Sequence, residues 1–110
     1  MNIKSLFLVG ALALSSLSIA NAKDYHFTLD NSAKAGNVVL KAGEYKVKLE
    51  GADAVFTDVR TNQTFTTPVK VDNAGKKHDM TAVETNVQNG TERIRAIELG
   101  GSTETLEFGD

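Results

Sequence analysis

Glu44-Tyr45-Lys46-Val47-Lys48-Leu49-Glu50 is the stretch that decides the fold class. Its apolar residues Tyr45, Val47 and Leu49 fall at every second position, and each of their neighbours is charged. Successive side chains of an extended chain point to opposite faces, so the segment predicts a strand with one buried and one solvated face. The same period runs outward from it. Tyr25, Phe27 and Leu29 alternate with His26 and Thr28 upstream. Phe65, Thr67, Val69 and Val71 alternate with Thr64, Thr66, Pro68 and Lys70 downstream, and Glu104, Leu106 and Phe108 alternate with Thr103, Thr105 and Glu107 near the end. No segment after residue 22 holds a helical stripe of apolar residues.

Turn signals separate these runs at short spacing: Asn31 to Gly36, Lys41-Ala42-Gly43, Gly51-Ala52-Asp53, Arg60 to Gln63, Asp72 to Gly75, Gln88-Asn89-Gly90 and Gly100-Gly101-Ser102. Glycine and asparagine suit tight hairpins because such turns require positive φ. The count predicts an all-β fold, a small antiparallel β-sandwich or barrel of about seven to eight strands, in which sheet buries its apolar face against sheet. Two places break the pattern. Pro68 removes a backbone donor, which places the strand holding Phe65 and Val71 at a sheet edge or bends it there. Between Thr91 and Leu99 the apolar residues Ile94, Ala96, Ile97 and Leu99 change phase. A bulge near Arg95 or Ala96 and a single helical turn both account for that change.

The amino terminus reads differently from the rest. Lys4, the apolar run Leu6 to Leu14 and the small residues Ala20-Asn21-Ala22 have the order of a secretory signal peptide. The reading predicts a signal peptide at 1–22, cleavage after Ala22 and one β-domain at 23–110, periplasmic or secreted. The apolar run is far shorter than the roughly 20 residues that cross a bilayer as a helix, and the chain has no cysteine for a lipid anchor. No membrane anchor is therefore expected in the mature form. Loss of 22 residues from 110 leaves 88, with 11 basic and 14 acidic residues. These charges are interleaved, the pattern of a solvated surface, and they exclude the basic face that nucleic acid requires.

The segment Asn37-Val38-Val39-Leu40-Lys41-Ala42-Gly43-Glu44-Tyr45-Lys46-Val47 resembles the element "Leu, any, Ala-Gly, any, Tyr, any, Val" of small exported bacterial β-proteins, most of them without assigned activity. The element recurs in transthyretin-like and carboxypeptidase-regulatory-like modules. The resemblance implies a strand end, a glycine-centred turn and a new strand whose tyrosine anchors the core. It implies no catalytic residue.

The chemical inventory is thin. After residue 22 the serines are Ser32 and Ser102, both in turn segments and neither in a Gly-x-Ser-x-Gly setting. There is no tryptophan, and the six remaining aromatic residues are needed for the core. No enzyme and no cofactor are expected. Asn62-Gln63-Thr64 and Asn89-Gly90-Thr91 fit the glycosylation acceptor pattern and mark exposed loops. His26 and His78 are the two imidazoles, with Asp24, Asp79 and Met80 near them in sequence. They suit copper or zinc if the strands bring them together. Read alone, His26 lies on a polar strand face and His78 follows Lys76-Lys77 at a strand start, so both are expected to be solvated.

Two functions follow. One is a noncatalytic binding or interaction module for another exported protein or a peptide, using the edge that carries Thr64, Thr66 and Pro68. Self-association through edge strands is a variant of it, with Lys46, Lys48 and Lys70 as gatekeepers. The other is a small-ligand or copper or zinc carrier on the same sandwich, with His26 and His78 as its ligands.

Overall fold

Hairpins joined by tight turns build the molecule, and their alternating side chains decide which face each strand turns inward. A computed structural model describes residues 23–109. The expected signal peptide at 1–22 and its expected cleavage site after Ala22 lie outside the described residues, as does Asp110. The strands are β1 (Tyr25–Leu29), β2 (Ala33–Ala35), β3 (Val38–Leu40), β4 (Gly43–Glu50), β5 (Asp53–Asp58), β6 (Thr64–Pro68), β7 (Lys70–Asn73), β8 (Ala82–Gln88), β9 (Thr91–Glu98) and β10 (Glu104–Glu107). The fold is all-β and sandwich-like, with ten strands among the described residues where about seven to eight are expected.

One sheet has four strands in the order β1-β4-β5-β6, all antiparallel. The other has six, and β9 is its axis. Along one edge β9 pairs antiparallel with β8 from end to end. Its opposite edge is shared: β2 pairs parallel with it at Arg93 and Lys34, and β10 pairs antiparallel with it from Ala96 to Glu98. β3 continues outward from β2, and β7 from β10. The parallel β2–β9 contact departs from the purely antiparallel expectation.

The inner faces meet in one apolar cluster. Phe27, Leu29, Tyr45, Val47, Ala54 and Phe56 come from the four-stranded sheet, and Ala33, Ala35, Leu40, Ile94, Ile97, Leu99, Leu106 and Phe108 from the six-stranded side. Phe27 stacks on Tyr45 with centroids 5.7 Å apart, and Phe56 meets Phe108 at 5.8 Å across the sheets. Such pairs add about 0.5 to 1.5 kcal/mol to the burial of the rings. Within the resembling element, β3 ends at Leu40, β4 starts at Gly43, and Tyr45 is buried with its hydroxyl donating to the Lys41 carbonyl at 2.7 Å.

Two strands account for the higher count. Asn31 to Gly36 is more than a turn, because Ala33 and Ala35 are buried in β2. Alanine is depleted in strands, so its pattern carries little β signal; the pairing of β2 between β3 and β9, with both alanines buried, overrides it. The predicted strand from Phe65 to Val71 is two strands in two sheets. Pro68 ends β6, Val69 turns the corner with its amide bonded to the Ala52 carbonyl at 3.0 Å, and β7 joins β10. Val71, expected on the inner face, is consequently exposed.

From Thr91 to Glu98 the chain is strand throughout. The register passes from Ile94 opposite Thr85 to Ala96 opposite Glu84, so Arg95 is the extra residue of a bulge and the helical turn is ruled out. At the tip of this hairpin Asn89 and Gly90 have φ of 53° and 79°. Positive φ at both central residues is the geometry that Asn-Gly turns supply, and it sets Gln88 opposite Thr91.

Candidate functional site

Exposed sheet edges are the feature that binding by strand addition requires. Thr64, Thr66 and Pro68 are exposed on β6, which is the outermost strand of its sheet. Thr67, between them in alternation, is fully buried and accepts a hydrogen bond at Oγ1 from the Asn37 amide of the β2–β3 turn at 3.0 Å. That turn lies against the carboxyl end of β6 and leaves the Thr64 to Thr66 stretch as its open part. A groove of about 330 Å³ lies at this corner, lined by Gly36, Asn37, Thr67, Pro68, Val69 and Lys70 together with Glu107 and Gly109.

β8 was not singled out by sequence reasoning, and it is the longest strand with one partner among the described residues. Its seven residues pair with β9 on one side. From Glu84 to Gln88 every residue is exposed, so the strand overhangs the sandwich on both faces. Val83 faces the core opposite Ile97, and Thr85 lies opposite buried Ile94; Val87 continues the same face and is 67% exposed. Its one charged residue, Glu84, lies 3.7 Å from Arg95 of the bulge. The alternation of Val83, Thr85 and Val87 with Glu84 and Asn86 was the available signal, weakened by the polar residues on both faces.

The two histidines are placed apart in the fold. His26 is exposed on β1, opposite Lys46 of the four-stranded sheet. His78 forms an isolated bridge with Gly100 beside the six-stranded sheet. Contrary to the solvated expectation, the His78 side chain is 14% exposed. Its Nε2 lies 3.0 Å from Thr105 Oγ1 and its Nδ1 3.9 Å from Glu98 Oε1. The backbone also holds it, since its amide donates to the Ser102 carbonyl and its carbonyl accepts from Gly101. No group of three or more His, Cys, Asp or Glu side chains converges among the described residues.

The chain matches no family model, no curated protein and no solved structure. Its reading therefore rests on the geometry above.

Ser102 is engaged in its own turn, with Oγ donating to the Leu99 carbonyl and accepting from the Glu104 amide, each at 3.0 Å. A second groove, about 420 Å³, is lined by Glu84, Arg95, Ala96, Thr105, Glu107 and Phe108. Burial raises the Tyr45 hydroxyl pKa, with the Asp58 carboxylate adding to the shift, while Arg60 opposes it. That group belongs to the core. Of the expected gatekeepers, Lys46 and Lys48 lie on β4, an interior strand, where they protect no edge; Lys70 opens the edge strand β7.

Proposed function

We propose that this chain is an exported, noncatalytic interaction module that recognises a protein or peptide by strand addition at a sheet edge. The observation that carries the reading is β8. Edge strands are ordinarily kept short or blocked with proline or lysine, because their open row of amides and carbonyls templates pairing with other chains. β3 and β7 have three and four residues, β7 opens with Lys70, and β6 ends in Pro68. β8 has seven residues and carries neither proline nor lysine. Among the described residues β8 is an edge longer than the other four, β1, β3, β6 and β7, which have five residues or fewer, and that makes it the natural receptor for an added strand. The open part of β6, Thr64 to Thr66, is a shorter second edge of the same kind.

Amide exchange tests the reading. The protein is compared alone and in the exported fraction of cells that make it. Slowed exchange in β8 or β6 in the presence of the fraction is the expected outcome, since strand addition gives the outer amides new acceptors. Unchanged exchange along both edges, with the fraction's total protein in large molar excess over the chain, refutes it.

A further inference from the structure

The inward-facing row of β8 is symmetric about Thr85, with a valine two residues to either side. Around Thr85 its sequence is Val83-Glu84-Thr85-Asn86-Val87, with valine at both ends of the inward-facing row. We infer that β8 pairs antiparallel with β8 of a second copy, about a two-fold axis at Thr85, joining the two six-stranded sheets into one. This rests on the strand-addition reading and names its partner.

The register makes the case. A two-fold axis at Thr85 sets Thr85 opposite its own counterpart, Val83 opposite Val87, Glu84 opposite Asn86 and Ala82 opposite Gln88, each pair occurring symmetrically. Val83 and Val87 then form two apolar cross-strand pairs, and Thr85 pairs with Thr85, both combinations that stabilise antiparallel sheet. Glu84 meets the amide of Asn86 rather than another carboxylate, and Arg95 lies 3.7 Å from it within its own chain. No like charges face each other across the axis. A shift of register by one residue loses this, because it brings inward and outward faces into opposition.

The surface involved fits the same partner. Val83, Thr85 and Val87 lie on the face shared with Ile94 and Ile97, yet Thr85 and Val87 extend beyond the cover of the opposite sheet. Pairing with a second copy places the valines of each strand against those of the other and so covers Val87, which among the described residues is the most exposed large apolar residue after Met80. The bulge does not interfere. Its extra residue is Arg95 on β9, so β8 itself advances one residue at a time and keeps a regular outer edge.

The test uses the full chain, which contains no cysteine, so a single introduced thiol reports one position. Light scattering on the unaltered protein is expected to show mass rising with concentration from one chain to two, in the micromolar range that a small interface supports. Thr85→Cys is expected to crosslink to itself with a short bis-maleimide, because opposed Cβ atoms in antiparallel sheet lie about 4.5 to 5.5 Å apart. Thr66→Cys on β6 and Val39→Cys on β3 are the comparison positions and are expected to crosslink only slowly. Val87→Lys, at a site too exposed to disturb folding, is expected to weaken the dimer at least about tenfold. A monomer up to about 1 mM, with Thr85→Cys no faster than the comparison positions, overturns the second-copy inference. Strand addition itself then stands or falls on exchange protection by the exported fraction. A dimer crosslinked through Thr66→Cys and not Thr85→Cys overturns the β8 axis while supporting strand addition at β6.

Discussion

Thr67 Oγ1 accepts a hydrogen bond from the backbone amide of Asn37, 30 residues earlier, at 3.0 Å. Asn37 belongs to the β2–β3 turn of one sheet and Thr67 to β6 of the other, so this bond stitches the two sheets where the chain crosses between them. Thr67 is the buried polar residue of the described fold, and its hydroxyl has this specific task.

Thr67→Val keeps the shape and deletes the acceptor. The Asn37 amide is left without its partner in a half-buried place, which costs about 1 to 3 kcal/mol. Urea unfolding followed by circular dichroism measures it. Thr67→Ser retains the oxygen and is expected to lose less than half as much.

Gly36 is the companion position. A Cβ there meets Thr67 Oγ1 at less than van der Waals separation, and its φ of 55° is one that side-chain-bearing residues adopt at a penalty. Gly36→Ala is expected to cost roughly 3 kcal/mol, from about 1 to 2 for the backbone and the remainder for the collision. Gly75→Ala, where φ is 78° and nothing lies within 4 Å, is expected to cost the backbone part alone. Combining Gly36→Ala with Thr67→Ala is expected to cost less than the sum of the single changes, since the second removes the atom struck by the first. Thermal melts of the four variants decide it.

Tyr45 links stability to alkaline pH. Burial raises its pKa above the ordinary phenol value, so the folded state favours the protonated hydroxyl. The contribution is complete below about pH 10, the unfolded value, and is lost as pH climbs through the higher folded value. Tyr45→Phe is expected to lower stability at neutral pH by about 0.5 to 1.5 kcal/mol through the missing bond to Lys41. Above pH 10 the difference between the two proteins should shrink. Parallel denaturant titrations across that range provide the check, and a difference that stays constant contradicts the assignment.

His78 closes the loop before β8 against the end of β9. His78→Ala removes the contact with Thr105 and is expected to cost about 1 to 2 kcal/mol. The Gly101 amide, which donates to the His78 carbonyl at 2.8 Å, is expected to exchange faster in the variant, whereas His26→Ala leaves it unchanged. Amide exchange read by nuclear magnetic resonance separates the two.

Much of this fold is legible in local pattern. The period-two segments around Tyr45, Phe27 and Leu106 determine strands and their inner faces, because side-chain alternation is a property of each extended segment by itself. Asn89-Gly90 determines a tight hairpin, and the phase change from Ile94 to Leu99 determines the bulge at Arg95, for the same local reason. Pro68 marks an edge because a missing donor is missing in any context. What stands opposite a segment is another matter. Whether Val69 bends or crosses between sheets, whether Ala33 and Ala35 are strand, and whether His78 faces water or Thr105 depend on residues distant in the chain. The bond from Asn37 to Thr67 and the open outer edge of β8 are of that kind: the first exists only once two sheets are stacked, and the second only because β8 pairs with β9 on one side and, among the described residues, with nothing on the other, so tertiary packing alone decided them.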